Sequence, residues 1–215
     1  MLQKKQVIGL VGAAIVFAAG TQAAKAVTTL ENLIGAGPVY SNGLIYSDFT
    51  NGGSLPASDV FVNFTSEGLE FTANWNTLES GHNLSVISYT VTVDPHTGLD
   101  LIGSGLFFAG HVIIENAAAS VGETLTDLST GKSYSMQVFY DGRGGLVDNL
   151  RDEVFFDNYV TSLRIVKSID VQAAAGSFAA LNFVDNTFIP IPEPMSLALL
   201  PLALVGLGLR KKLAR

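Results

Sequence analysis

Apolar and polar residues alternate with a period of two through the central part of the chain. Leu69–Asn76 alternates without a fault, and Ile87–Val93, Tyr134–Tyr140 and Leu163–Val171 follow the same period. Such alternation places every second side chain on the buried face of a strand. Shorter strands are predicted at Leu44–Phe49, Val60–Phe64, His111–Glu115, Val154–Phe156 and Ala179–Val184.

Turn signals separate these segments. Asn51-Gly52-Gly53, Asp94–Gly98 and Asp141–Gly145 combine glycine with Asn, Asp or Pro, which are the residues that favour tight turns. No long window between the two terminal segments shows a helical period of 3.6 residues. Many short strands with frequent turns predict an all-β body over residues 27–188. The expected architecture is an antiparallel β-sandwich, either jelly-roll or immunoglobulin-like.

The N-terminal segment has the three parts of a secretory signal. Lys4-Lys5 precedes the uncharged run Val7–Ala19, and Ala24 and Ala26 then form an A-x-A cleavage pattern. The run has thirteen residues. As a helix it would rise only about 20 Å, against a hydrocarbon core of about 30 Å. Residues 1–26 are therefore predicted to be a signal peptide, with Val27 as the first mature residue and cleavage after Ala24 as the second choice.

The C-terminal segment, residues 189–215, has a different order of parts. Ile191-Pro192-Glu193-Pro194 is followed by the uncharged, mostly apolar residues 195–209, which predict a transmembrane helix. The prolines favour extended backbone before that helix. Basic residues close the chain, namely Arg210, Lys211, Lys212 and Arg215. Basic flanks tend to stay in the cytoplasm, so both ends of the chain place the body outside the inner membrane.

These C-terminal features together resemble the PEP-CTERM sorting domain of Gram-negative bacteria. The resemblance covers residues 189–215, with Pro192, Glu193 and Pro194 as the motif; Ile191 stands where Val is common, and Pro201 interrupts the apolar run. It implies recognition by an exosortase, a membrane enzyme that cuts near the motif and passes the body to the cell surface. Family members occur in bacteria that make exopolysaccharide and biofilm. Signal peptidase, exosortase and, transiently, the inner membrane are the partners expected during processing.

Charge and composition limit the classes of partner that the body is expected to bind. Residues 27–188 carry five Lys and Arg against eighteen Asp and Glu, a net charge of −13. Affinity for nucleic acid comes largely from basic residues that neutralise phosphates, so a nucleic-acid partner is not expected. The chain has no cysteine. It therefore has no disulfide framework, thiol nucleophile or cysteine-ligated metal.

Candidate catalytic and metal-binding residues are present without a recognisable spacing. His82, His96 and His111 are well separated and match no zinc motif, so they are interpreted as turn or edge residues. A glycan hydrolase needs two facing carboxylates. The available glutamates are Glu70, Glu79, Glu115, Glu123 and Glu153, and nothing in their spacing pairs two of them. The chain is predicted not to be an enzyme, with no catalytic residue and no cofactor.

Two binding activities remain open alternatives. Calcium could bind loop acids, with Asp94 and Asp100 around one turn and a group at 148–157 near another. Carbohydrate could bind exposed aromatic platforms. The aromatic candidates are Trp75, Tyr40, Tyr46, Tyr140 and Tyr159, although Trp75 is in register with the apolar face of its strand and is predicted to lie in the core.

The resulting hypotheses fall into three classes. The first is an exported surface or extracellular-matrix protein with a non-enzymatic, structural or adhesive body that contacts other surface proteins. The second is a module that binds exopolysaccharide. The third is a secreted glycan hydrolase. Exposed aromatic residues on one face would favour the second class, and a cleft with two facing carboxylates would favour the third.

Overall fold

A computed structural model of the chain describes residues 27–114, 116–144 and 147–192. The predicted signal peptide, with Ala24 and Ala26, lies outside this part. So does the predicted tail from Glu193 onward, with Pro194, the apolar residues 195–209 and the basic end at 210–215. Among the described residues no helix is long and apolar enough to cross a membrane.

Strands account for most of the described chain. They are β1 (Thr28–Thr29), β2 (Val39–Ser41), β3 (Leu44–Gly53), β4 (Phe61–Phe64), β5 (Gly68–Leu78), β6 (His82–Val93), β7 (Leu99–Ala109), β8 (Val112–Ile113), β9 (Ala117–Asp127), β10 (Ser133–Asp141), β11 (Arg151–Val160), β12 (Ser162–Ala173) and β13 (Phe178–Pro192). The described helical elements are α1 (Leu30–Leu33) and a single 3₁₀ turn at Ala57–Asp59.

The strands form two antiparallel sheets that pack face to face. Sheet A has the order β1-β4-β5-β13-β7-β11, with β8 beside β13, and sheet B has the order β10-β9-β12-β6-β3-β2. From β5 to β13 the chain passes back and forth between the sheets, except at the β9–β10 hairpin and the short β8. The prediction of an antiparallel, two-sheet, all-β body is confirmed.

The core lies between the two sheets, where the predicted period of two places it. Trp75 is fully buried, as its register in β5 predicts. Tyr89 of β6 stacks on Phe49 of β3 with ring centroids 5.5 Å apart. It also contacts Phe71 of β5 at 5.7 Å, across the two sheets. Packed aromatic pairs of this kind add about 0.5–1.5 kcal/mol beyond the area they bury.

Two long strands, β7 and β9, are not predicted from the sequence. The reason is their small residues: β7 contains Gly103 and Gly105, and the inward face of β9 begins with Ala117 and Ala119. Strand propensity largely reflects bulky side chains on a pleated surface, so small residues give a weak signal. Gly103 is required by close approach, since a Cβ there would lie 2.7 Å from the Val154 carbonyl oxygen.

Two local predictions are wrong. Asn51-Gly52-Gly53 is not a turn but the end of β3, paired with β6. Gly53 has φ +100, and a Cβ there would lie 2.0 Å from the Leu84 carbonyl oxygen, so glycine serves a close strand contact. The strand predicted at His111–Glu115 is only the two-residue β8, Val112–Ile113.

The last strand runs past the predicted end of the body at Phe188. β13 pairs with β7 through Pro190 and Pro192, while its pairing with β5 ends at Thr187. Proline has no N–H to donate, so it fits a strand segment that has only one neighbour. Pro192, the first proline of the predicted sorting motif, therefore pairs with Leu99 of β7 in sheet A.

Candidate functional site

Three of the acidic residues considered for calcium accept hydrogen bonds from backbone N–H groups. Asp94 Oδ1 accepts a hydrogen bond from the His96 N–H at 3.0 Å. Asp148 Oδ1 accepts from the Asp141 N–H at 3.0 Å, and Asp152 Oδ2 from the Gln137 N–H at 2.9 Å. Among the described residues, no group of three or more His, Cys, Asp or Glu side chains could hold a metal ion.

The aromatic residues considered as sugar platforms are not brought together. Trp75 and Tyr46 are buried in the core and cannot touch a ligand. Tyr40 and Tyr159 are exposed, but they lie on different sheets, in β2 and β11. Tyr140 packs against the ring of His111 with centroids 4.5 Å apart. A platform would have to come from other residues.

A large groove lies over the outer face of β5, with a volume of about 870 Å³. Its lining includes Phe61, Asn74, Asn76, Asn83 and Asn182, and we call it the asparagine groove. Its volume falls within the range of small-molecule binding sites, about 300–1,000 Å³.

The alternation in β5 explains why two of these amides face outward. Ala73 and Trp75 point into the core, so Asn74 and Asn76 point to the other face of sheet A. Asn182 reaches the same face from β13, where the register with β5 shifts between Leu181 and Phe183. There two residues of β5, Ala73 and Asn74, lie opposite the single residue Asn182, which is exposed.

An aromatic ring forms one wall of the asparagine groove. Phe61 of β4 pairs with Thr72 of β5 in the sheet register. Its neighbour Val62 is buried in the core, so Phe61 faces outward, and 46% of its surface remains exposed. The groove therefore combines a half-exposed ring with several planar amides.

One amide in the asparagine groove has unused hydrogen-bonding capacity. Asn83 Nδ2 donates to the Asn76 carbonyl oxygen at 3.2 Å. Asn83 Oδ1 is buried and has no hydrogen-bond partner among the described residues. Buried polar atoms almost always have a partner, so this acceptor is an exception, but protein atoms cover it and it is not open to a ligand in the groove.

The asparagine groove is nearly neutral within a strongly acidic body. Asp59 is the one charged side chain among the described residues that line it, and its Oδ1 accepts a hydrogen bond from Ser58 Oγ at 3.2 Å. Each asparagine offers both donors and an acceptor in one plane. This arrangement suits an uncharged ligand rich in hydroxyl groups.

Comparisons with known proteins do not place the chain in a family. No family model matches it. No curated protein matches it. Similar solved structures include TmCBM61 in complex with β-1,4-galactotriose, with 14% identity over 66% of this chain and 90% of that chain and a TM-score of 0.37.

Two further solved structures are more distant. The enzymatically active domain of bacteriophage CBA120 tailspike protein 4 is 14% identical over 67% of this chain and 19% of that chain, with a TM-score of 0.28. The glycosylation-associated Gap123 complex from Streptococcus agalactiae is 11% identical over 65% of this chain and 26% of that chain, with a TM-score of 0.25. Because all three scores are below 0.5, they carry no argument about function.

A pair of carboxylates lies elsewhere on the outer face of sheet A. Glu70 and Asp185 are direct neighbours across β5 and β13. Burial raises the pKa of Asp185 to about 6, and the negative charge of Glu70 adds to the effect. Glu70 Oε2 accepts a hydrogen bond from Asn63 Nδ2 at 2.6 Å, which holds it in place.

An ion pair that the sequence does not predict lies inside the core. Lys167 Nζ contacts Glu123 Oε2, and both side chains are completely buried. Lys167 occupies the inward position between Ile165 and Ile169 in β12, which an apolar residue would normally take. Nearby, the Tyr89 hydroxyl donates to Asn186 Oδ1 from the opposite sheet. This polar cluster belongs to the core and is not open to a ligand.

The sequence contained part of the signal for the asparagine groove. Thr72, Asn74 and Asn76 are the polar positions of the alternating run in β5, and the alternation predicts only a half-buried strand there. Phe61 and Asn182 come from other strands. Their place beside β5 depends on strand order and on a bulge, which a single sequence does not reveal.

Proposed function

We propose that the body is a non-enzymatic carbohydrate-binding module that holds a neutral polysaccharide in the asparagine groove. The observation that supports this proposal is the grouping of Asn74, Asn76 and Asn182 beside the half-exposed ring of Phe61. An aromatic ring offers a flat apolar surface to the C–H face of a sugar. The amides exchange hydrogen bonds with its hydroxyl groups.

The positions of these side chains favour a role in ligand binding over the alternative that they are ordinary solvent-exposed polar residues. Asn74 and Asn76 lie on β5 on either side of Trp75, whose buried side chain anchors the strand to the core. Binding groups fixed on rigid strands lose little conformational freedom when a ligand arrives.

The proposed fold class within the two-sheet body is the jelly roll. The eight strands β5, β6, β7, β9, β10, β11, β12 and β13 form the orders β5-β13-β7-β11 and β6-β12-β9-β10. Successive strands cross from one sheet to the other except at β9–β10. This double Greek-key order supports a jelly roll over the immunoglobulin-like alternative.

The proposed location is the cell surface or extracellular matrix. The signal pattern at 1–26 and the Pro192-Glu193-Pro194 tail support export, followed by cutting by an exosortase. Replacing Glu193 with Ala should leave uncut protein in the inner membrane, detected as a larger membrane-bound band in the native host. Normal release of the E193A protein would contradict the sorting proposal.

Binding is tested with the full-length chain purified in detergent on an array of neutral glycans, with and without calcium. N74A and F61A should each weaken binding to the glycans that the wild type retains. N158A and F155A are matched controls, because both residues are exposed on β11, away from the groove. The proposal fails if no glycan binds, or if the groove variants bind as well as the controls.

A glycan hydrolase is the second candidate function, and the Glu70–Asp185 pair favours it. A carboxyl with a pKa of about 6 is suited to act as a general acid near neutral pH. Release of reducing sugar from a glycan that the array identifies would support this candidate, provided that D185N abolishes it. Binding without release supports the non-enzymatic module.

A further inference from the structure

A second cavity, of about 200 Å³, lies on the outer face of sheet B. Phe139 of β10 lies on one side of it and Gln172 of β12 on the other, with Ala118 and Ser120 of β9 between them. The strand order β10-β9-β12 sets this arrangement. The cavity therefore has an aromatic ring on one side and an amide on the other, with the small side chains of Ala118 and Ser120 between them.

The polar side chains around this cavity are already held in place. Asp170 Oδ2 accepts a hydrogen bond from Gln172 Nε2 at 2.8 Å, and His82 Nε2 lies 2.7 Å from Asp170 Oδ1. Arg143 Nε donates to Asp141 Oδ1 at 3.0 Å. Side chains fixed before binding lose less conformational entropy when a ligand arrives. Exposed side chains held in this way are suited to recognition.

The cavity continues into a neighbouring open space of about 550 Å³. The two share Arg143 and Gln172, and the second extends past His82 and Asn116. We call the combined space the Gln172 groove. Its two carboxylates, Asp141 and Asp170, both accept hydrogen bonds from neighbouring side chains. A ligand would therefore meet planar hydrogen-bonding groups and few unpaired charges. Like the asparagine groove, the Gln172 groove combines an aromatic ring with amide side chains, and it differs in having charged groups that are paired with one another.

The two grooves open on opposite sides of the molecule. Asn74 points outward from sheet A, and Gln172 points outward from sheet B. Two packed sheets, with backbones about 10 Å apart, separate Asn74 from Gln172, and the linings of the two grooves meet at the consecutive residues His82 and Asn83 of β6. We propose that the Gln172 groove binds a second segment of the same polysaccharide class, so that one molecule bridges two chains. This inference rests on the proposed function of the asparagine groove.

The test uses beads coated with exopolysaccharide isolated from the native host and the full-length chain purified in detergent. Wild-type protein should bind the beads and clump them. S120W, which fills the floor of the Gln172 groove, and Q172A should each keep bead binding through the asparagine groove but lose clumping. S133W is the matched control, because Ser133 is exposed near the start of β10, far along the strand from Phe139.

The outcomes separate the two proposals. Bead binding by wild-type protein without clumping would overturn bridging and leave the first proposal standing, whereas no bead binding would overturn both. Clumping by S120W and Q172A at the wild-type level would also overturn the role of the Gln172 groove. Light scattering must show a monomer, since a dimer with one groove per chain would also clump beads. A clumping dimer that needs only the asparagine groove counts against the inference.

Discussion

Replacing Lys167 with Met tests the energetic role of the buried ionic pair. The substitution keeps an unbranched side chain but leaves the Glu123 carboxylate buried without its cationic partner. Glu123 Oε1 already has no hydrogen-bond partner among the described residues. Breaking a buried pair from one side costs about 3–5 kcal/mol. Typical domains have only about 5–15 kcal/mol of stability in total. K167M should therefore be among the most destabilising single changes in the body.

The assay is urea unfolding followed by the fluorescence of Trp75, the single tryptophan of the chain, which is fully buried. With a slope of about 2 kcal/mol per molar urea, the loss corresponds to a midpoint lower by about 2 M. K132M is the matched control. Lys132 pairs with Asp157 at the exposed surface, where ion pairs contribute about 0–1 kcal/mol.

A double variant separates lost pairing from lost packing. Combining K167M with E123L removes both charges and fills the same region with apolar side chains, so stability should return to the wild-type value or exceed it. The reasoning would be refuted if K167M were no less stable than K132M. It would also be refuted if the double variant were less stable than K167M alone.

Two further predictions use the same unfolding assay. Because the pKa of Asp185 is about 6 in the folded protein and 3.8 is its ordinary value, the stability associated with its proton is present below pH 4 and is lost as the pH rises through about 6. D185N should therefore gain about 1 kcal/mol relative to wild type between pH 4 and 7.5, allowing for solvent screening, and a constant difference would contradict this. G53A should cost about 1–3 kcal/mol, because φ is +100 and the Leu84 carbonyl oxygen leaves no space for a Cβ. G98A, with positive φ but open space, should cost less, and equal losses would show that the close contact is unimportant.

The strands that the sequence predicts are those whose buried positions are mostly occupied by large apolar residues. In β5, Phe71 and Trp75 alternate with polar residues, so the pattern identified both the strand and its core face. In β9, the inward positions include small alanines and the charged Glu123. The strand alternates between buried and less buried positions as β5 does, but its residue types do not alternate between large apolar and polar. Lys167 in β12 is acceptable only because Glu123 lies opposite on the neighbouring strand.

The candidate site was less predictable than the fold, because it depends on contacts between distant parts of the chain. The asparagines of β5 were visible as the polar face of a strand. Their function as a group depends on Phe61 from β4 and on Asn182 from β13, which lies at the register shift between β13 and β5. Sequence reasoning also favoured tyrosines as platforms. Tyr46, however, is in the core and its ring packs against Phe64 at 5.3 Å.

The position of β13 has a mechanical consequence. This strand lies inside sheet A, with β5 on one side and β7 on the other, and its last paired residue is Pro192. A pulling force transmitted from the chain beyond Pro192 along the strand direction would load many cross-strand hydrogen bonds at once. It would not open them one by one from an edge. A body attached through that end could therefore bear tension while its two outer faces stayed open to the surroundings.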